Sequence, residues 1–325
     1  FTCHQLSLKR KSVNIFKELF ILSELKNLLT SINPDLIHCV TVKPNIYTGV
    51  LNRLYLKKPI IYSVTGLGAI FSSSSFKFKI LKKIVSCLYR FISINSSRII
   101  FENNEDYELF NELEIIRNGN GVVIKGAGID LDRFLPSPPP YNRTVLFAAR
   151  LLRDKGLHEL VEAKKILSSR GINFVLKVAG ITDKDVSSAI SMQQIDSWSG
   201  NGDIVWLGNV SDMPNLIKTC DIVCLPTTYG EGVPRILIEA ASCQRAIITT
   251  NVVGCREIVS DEYNGLLVEP SNSKALANAL ETLLSDNKKI KSFGINSRKK
   301  VEDEFSQELV FEKTLKVYDQ LNAIR

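Results

Sequence analysis

The chain has 325 residues, 45% of them hydrophobic and 23% charged, which suits two globular domains of about 150 residues better than one core. No run reaches the ~18 consecutive apolar residues that span a bilayer, and the opening FTCHQLSLKRKS has none of the apolar stretch a signal peptide needs. Seven cysteines without a CxxC pair and only three histidines argue against a metal centre built from those residues; the cysteines read as small buried side chains in a reducing compartment. The net charge of +7 is uneven. Residues 1–98 carry 15 Lys and Arg against 3 Asp and Glu (+12), residues 99–140 carry −5, and the remainder cancels. The basic surface belongs to the first part of the chain, with polyanion, nucleic acid and anionic lipid as candidate partners.

In chain order, apolar residues at helical spacing predict a helix over 16–32, ended by Asn33-Pro34. The short run DLIHCVTV reads as a buried strand, YTGVLNRLYL as helix, and PIIYSVTG as a strand ending in glycine. Residues 76–94 read as helix, SRIIFEN as strand, NEDYELFNEL as helix and VVIKGAGI as strand or turn. This alternation predicts an α/β architecture, a parallel sheet covered by helices. Four prolines within Leu135–Tyr141 interrupt it. They read as an interdomain linker, giving a first domain over 1–137 and a second over 138–305. In the second domain TVLFAAR, NFVLKVAG, DIVWLG, DIVCLPT, AIITT and GLLVEP read as strands. Between them lie helices over DKGLHELVEAKKILSSRG, VSSAISMQQIDSW, SDMPNLIKTC, VPRILIEAASCQ and the short CREIV. Helices over 272–285, 288–303 and 306–322 follow, and the segment 306–325 is expected to pack back on the first domain. Two doubly wound sheets in succession predict a ligand cleft between them, beyond the carboxyl ends of the strands.

Two motifs carry candidate chemistry. In YGEGVPRILIE, Glu231 lies in a glycine loop after a buried strand, and Glu239 stands eight residues later, one to two turns into the following helix. Gly230 and Gly232 let the loop bend and let a ligand approach the backbone, and the free N–H groups at the helix start favour negative charge. Ionised carboxylates accept strong bonds from hydroxyl groups, so the two acids suit a ligand rich in hydroxyls. In FAARLLRDKGLHEL, Arg150 ends a strand and Lys155 sits five residues on, just before a helix. Two cations at such a junction form a diphosphate clamp. Weaker signals accompany these. Gly66-Leu67-Gly68 is too short for a dinucleotide fingerprint, Asn118-Gly119-Asn120-Gly121 reads as a turn, and His38 reads equally as a satisfied core or strand-end histidine and as an active-site residue.

With these motifs the chain resembles the retaining glycosyltransferases of family 4, which have the GT-B fold: two doubly wound, Rossmann-like domains facing a cleft. The segments NPDLIHCVTVKP, YSVTGLGAIF, RIIFENNEDYELF, GAGIDLDRF, WLGNVSDMPNLI, VVGCREIV and NGLLVEP are all similar to that family, most of all to the branch that builds lipid-linked bacterial surface glycans. The resemblance implies roles residue by residue. Arg150 and Lys155 bind the donor diphosphate and neutralise the leaving group, and Glu231 contacts the donor sugar. Glu239 bonds the ribose, Gly232 and Val233 offer backbone groups to sugar and phosphate, and Asn209 and Val210 face the nucleobase. It implies no metal and no cofactor, the two cations doing the charge work. It also implies an N-acetylhexosamine carried by UDP as donor and an undecaprenyl-diphosphate-type glycolipid as acceptor.

Two departures from the family pattern stand out. Thr65 occupies the strand end where many relatives carry a histidine, leaving Gly66 and Gly68 to act through backbone groups. The chain also starts after the strand and glycine loop with which relatives begin, so a truncated start is expected. Residues 76–91 mix Lys77, Lys79, Lys82, Lys83 and Arg90 with large apolar side chains, the pattern of a helix lying on an anionic membrane. With the +12 of residues 1–98 this predicts a peripheral protein on the inner face of the cytoplasmic membrane, and not a nucleic-acid binder, since no stacking platform or known module accompanies the charge. Two alternatives are a UDP-N-acetylglucosamine 2-epimerase-like enzyme, against which the Glu231…Glu239 pair with RLLRDKG argues, and a non-catalytic nucleotide-sugar-binding fragment.

Overall fold

The apolar runs fold into two wholly parallel sheets, one in each of two units: residues 1–124 with 313–325, and residues 125–312. The computed structural model describes residues 2–7, 15–68, 71, 75–183, 186–230 and 232–322.

The first unit runs α1 (Ile15–Ile32), β1 (Ile37–Val40), α2 (Val42–Leu51), β2 (Ile60–Val64), α3 (Phe76–Ile92), β3 (Ser97–Phe101), α4 (Asn104–Glu112) and β4 (Gly121–Val123). Its sheet has the order β1-β2-β3-β4. Central strands β2 and β3 are covered on both faces, which is why they read as unbroken apolar runs. Phe110 packs edge-on against both Tyr89 and Phe101, at 5.0 Å between ring centroids, and ties α4, α3 and β3 together. Helix α2 starts at Val42, five residues ahead of the expected stretch, because Pro44 falls in its first turn, where no N–H is required.

Helix α4 opens with a reciprocal cap. The Asn103 side chain accepts from the Asp106 N–H (2.7 Å) and donates to the Asp106 carboxylate (3.0 Å). That carboxylate also accepts the backbone N–H of Leu67, so the capping residue after β3 holds the glycine turn after β2. Burial pushes the Asp106 carboxyl up from 3.8 to about 6, against the pull of these bonds.

The second unit runs β5 (Thr144–Ala148), a 3-10 turn (Arg153–Lys155), α5 (Leu157–Ser169), β6 (Val175–Ala179), α6 (Met192–Gly200), β7 (Val205–Trp206), α7 (Met213–Lys218), β8 (Ile222–Leu225), α8 (Arg235–Ser242), β9 (Ala246–Thr250), α9 (Cys255–Ile258), β10 (Gly265–Val268), α10 (Ser273–Leu284) and α11 (Asn287–Glu304). Helix α12 (Gln307–Asn322) follows; its residues from 313 onward belong to the first unit. The sheet order β10-β9-β8-β5-β6-β7 is doubly wound. The chain steps outward from β5 to β7, then returns to the other side of β5 as β8. That reversal creates a crevice at the carboxyl ends of β5 and β8.

The proline stretch is not a linker: the boundary expected at 137 lies at 124, and 135–141 is part of the second unit. Its neighbour Phe134 is buried, and the Phe134 carbonyl accepts from Ser242 (2.8 Å) and Arg298 (3.0 Å). Fully buried Arg245 donates to the Ser137 carbonyl (2.8 Å), the Ser137 hydroxyl (2.6 Å) and the Ile217 carbonyl (3.1 Å). Asp221 accepts from the N–H groups of Tyr141 (2.6 Å) and Thr144 (3.0 Å). Proline forbids helix and ladder, which the sequence showed; it does not forbid packing, which side chains from distant positions supply. A smaller correction concerns the helix expected from Val186. It starts at Met192, where Ser191 caps it by accepting from Gln194 N–H (3.2 Å).

Asp106 yields a pH prediction. Its folded-state pKa is raised, so its contribution to stability is fully present below about 3.8 and is lost as pH rises through about 6. Asp106→Asn keeps an acceptor for Leu67 and cannot ionise. The stability of this variant relative to wild type is therefore expected to improve between pH 4 and pH 7.5, by on the order of 2–3 kcal/mol. Thermal melts of both proteins at the two pH values measure this, and a difference independent of pH would refute it.

Candidate active site

The carboxyl ends of the second sheet bring the candidate residues together. After Ala148 the chain leaves β5 through exposed Arg150 and folds into the 3-10 turn Arg153–Lys155. Gly156 ends that turn at φ +81°, and a Cβ there would lie 1.9 Å from the Pro226 carbonyl oxygen. Only glycine permits this approach between the loops after β5 and β8. The contact is reinforced by the Asp154 carbonyl, which accepts from Thr228 N–H (2.8 Å) and from the hydroxyls of Thr227 (3.1 Å) and Thr228 (3.2 Å). From the other side, Thr249 donates to the Leu225 carbonyl (2.7 Å) and Thr250 to that of Thr227. The loop after β8 is thus fixed by both neighbouring strand ends. Lys155 is buried against it, its Nζ 5.5 Å from the Tyr229 ring centroid.

Pro234 stands at the N-cap of α8, so the helix starts at Arg235 and not at Val233, and the Pro234 carbonyl accepts the Leu237 N–H (3.0 Å). Glu239 is the fifth residue of that helix and is buried. Its Oε1 accepts from Arg235 Nε at 2.9 Å. Burial pushes its pKa up, while Arg235 and Arg133 pull it down.

A cleft of about 260 Å³ lies over these strand ends. Ala148, Ala149 and Arg150 line it from the end of β5 and the loop after it, Ala179, Gly180 and Ile181 from the end of β6 and its loop, Asn209 and Val210 from the loop after β7, Met213 from α7, and Ile236 and Glu239 from α8. Gly180 brings the loops after β5 and β6 into contact, since a Cβ there would meet the Ala149 carbonyl oxygen at 1.9 Å. Trp206 Nε1 donates to the Gly180 carbonyl (3.0 Å), and the Gly180 N–H donates to the Gly208 carbonyl (2.7 Å), which secures the loop after β7 as well.

Four of the expected residues, Arg150, Asn209, Val210 and Glu239, therefore meet in one cleft. Lys155 is not among the lining residues; it sits under the loop after β8. Gly232 and Val233 are buried at the entry to α8, with Val233 in the hydrophobic core. Glu231 lies outside the described residues. Gly66 and Gly68 belong to the first unit, both at positive φ, and their assignment rests on the resemblance alone. His38 is also in the first unit. It bonds Ser63 (2.7 Å) and Tyr318 (2.6 Å), so it is a satisfied histidine. Sequence reasoning missed Gly180, Ile181, Met213 and Ile236. A glycine ending the predicted strand NFVLKVAG was the available signal for the first; the apolar walls had none. Among the described residues no three His, Cys, Asp or Glu side chains gather into a metal-binding group.

Residues 130–300 match the family Glycosyl transferases group 1, and residues 1–103 match Glycosyl transferase 4-like. The chain belongs to the group 1 glycosyltransferases. Among its relatives is the N,N'-diacetylbacillosaminyl-diphospho-undecaprenol alpha-1,3-N-acetylgalactosaminyltransferase of Campylobacter jejuni, 30% identical over 96% of this chain and 84% of that one. The capsular polysaccharide biosynthesis glycosyltransferase CapM of Staphylococcus aureus is 27% identical over 93% of this chain and 83% of that one. Among solved structures, HepE of Anabaena in complex with UDP and glucose superposes with a TM-score of 0.78 over 95% of this chain and 84% of that one, at 20% identity. These likenesses establish the GT-B fold of the glycosyltransferase, and its family decides between the two enzyme readings in favour of transfer.

The glycosyltransferase needs glycine at 156 for the contact that fixes two of its cleft loops. Gly156→Ala is expected to destabilise the second unit by about 2 kcal/mol or more, lowering Tm by about 4 °C or more. Calorimetry checks this, and an unchanged Tm would show that the loops can separate freely.

Proposed function

We propose that this glycosyltransferase moves a sugar, an N-acetylhexosamine by preference, from a UDP-sugar to a lipid-diphosphate-linked glycan, with retention of anomeric configuration. The observation that carries this is the cleft in which Arg150, Asn209, Val210 and Glu239 converge at the carboxyl ends of a doubly wound sheet. The relatives whose names specify undecaprenyl-diphosphate-linked substrates support the acceptor class. In this reading Asn209 and Val210 receive the base, and Glu239 accepts a ribose hydroxyl. As an acceptor hydroxyl oxygen bonds to the anomeric carbon and the bond to the diphosphate oxygen breaks, the hydroxyl proton leaves toward the departing phosphate and negative charge grows on the nucleotide. Arg150 and Lys155 stabilise that charge, with no metal or cofactor required. Glu231 holds the donor sugar, and the backbone at Gly232 and Val233 supports sugar and phosphate.

Glu231→Gln removes one negative charge at constant size. It is expected to lower transfer at least 100-fold with Tm unchanged, read as UDP release in the presence of a lipid-diphosphate acceptor. Wild-type turnover in this variant would remove Glu231 from the mechanism.

We further propose that the first unit attaches peripherally to the inner face of the cytoplasmic membrane. Among the described residues no helix is long and apolar enough to cross a membrane. Helix α3 instead presents Phe76, Ile80, Ile84, Cys87 and Phe91 to solvent, spaced four, four, three and four residues apart along one face. Exposed Lys79, Lys83 and Arg90 flank that stripe. A helix of this kind buries its apolar face among acyl chains while its cations meet anionic headgroups. Reversing Lys79, Lys83 and Arg90 to Glu is expected to reduce sedimentation with phosphatidylglycerol vesicles at least tenfold. Equal sedimentation of variant and wild type would exclude α3 as the contact.

A further inference from the structure

We propose that Arg235 is a positioning residue of the donor cleft: it orients the Glu239 carboxylate through Oε1, keeps it charged, and leaves Oε2 facing the ligand. The inference rests on the reading of the cleft as the nucleotide site.

The geometry divides the carboxylate in two. Arg235 Nε donates to Oε1 at 2.9 Å, one helical turn away, and Oε2 makes no hydrogen bond with any described residue. The pair is asymmetric. The Glu239 side chain is 11% exposed and lines the cleft, whereas the Arg235 side chain is 64% exposed. An ion pair at this spacing adds little to stability when both ends are in water. Here only the cation is in water, so its main effect falls on the charge state of the acid it faces. Burial favours the protonated acid, and a protonated carboxyl loses part of its capacity to accept a ribose hydroxyl.

The other charges around α8 leave this task to few groups. Arg133 is the second cation acting on Glu239, and Arg150 lines the same cleft from β5. Lys218 of α7, Arg245 before β9 and Arg298 of α11 act on Cys243, just past the far end of the helix. Of the two charged residues of α9, Glu257 is taken up by Lys125 and Arg256 by Asn251. Strands β8 and β9 contribute no ionisable side chain except the buried thiol of Cys224. Arg235 is the one of these cations bonded to the carboxylate.

The test is UDP binding by titration calorimetry at pH 8.0 and 5.5, for wild type, Arg235→Met and Arg235→Lys. Arg235→Met removes the charge and retains much of the exposed stem, so the fold is expected to persist; unchanged Tm at pH 8.0 verifies that. Removing the cation raises the Glu239 pKa, so the methionine variant is expected to lose at least about fivefold more UDP affinity than wild type between pH 8.0 and 5.5. The lysine variant is expected to recover most of the wild-type profile, since it restores the charge. Parallel profiles for wild type and Arg235→Met would overturn the proposal while leaving the donor site standing. A wild type that binds no UDP at either pH would overturn the donor-site reading and the proposal with it.

Discussion

One close approach organises the second unit: the loops after β5 and β8 touch, backbone to backbone, at Gly156 and Pro226. These two strands are hydrogen-bonded neighbours at the reversal of the doubly wound sheet, where successive connections lead away in opposite directions. The Asp154 carbonyl joins them by accepting three bonds from Thr227 and Thr228. The side chains of the proposed donor cleft depend on that junction. Arg150 precedes it on one loop, Lys155 is enclosed by it, and the loop after β8 leads from it into α8 and Glu239. The cleft is therefore built from main-chain contacts first, and its charged side chains are carried on a frame that ligand contact need not rearrange.

The two units divide the physical work differently. The second is nearly balanced in charge and places a few charged side chains at a small cleft. The first holds the excess of cations, and they mix with apolar side chains on helices, as on α3. Localised charge favours selective recognition of a small anion; dispersed charge beside exposed hydrophobic residues favours a broad anionic surface. The proposed substrates, a soluble nucleotide sugar and a lipid-bound acceptor, make these two demands.

Strand and helix alternation was legible because both sheets are parallel and doubly covered, which leaves unbroken apolar runs such as IIYSV and DIVCLP. Arg150, Asn209 and Val210 were legible because each closely follows the end of a strand, and Glu239 because it stands eight residues after Glu231, within the helix that the glycine loop opens. The unit boundary was not. Proline reports only local backbone freedom, and the bonds that incorporate 135–141 come from Asp221 and Arg245, some 80 to 110 positions downstream. The same limit hid the Asp106 bond to Leu67, since nothing in either segment specifies that β2 and β3 are neighbours. Arg235 stood in plain view within EGVPRILIE. Only burial of its partner distinguishes it from an ordinary surface arginine.

The chain enters and leaves the second unit at nearly one place. Lys125 pairs with Glu304 (2.7 Å), Ile129 N–H donates to the Phe305 carbonyl (2.9 Å), and Gln307 N–H donates to the Ile129 carbonyl (3.0 Å). A body whose two ends meet is a cassette: it can be excised or exchanged with little disturbance to what flanks it. Recombination near residues 125 and 312 would then exchange the proposed donor cleft while keeping the first unit, a change in one step that point mutation would reach only slowly.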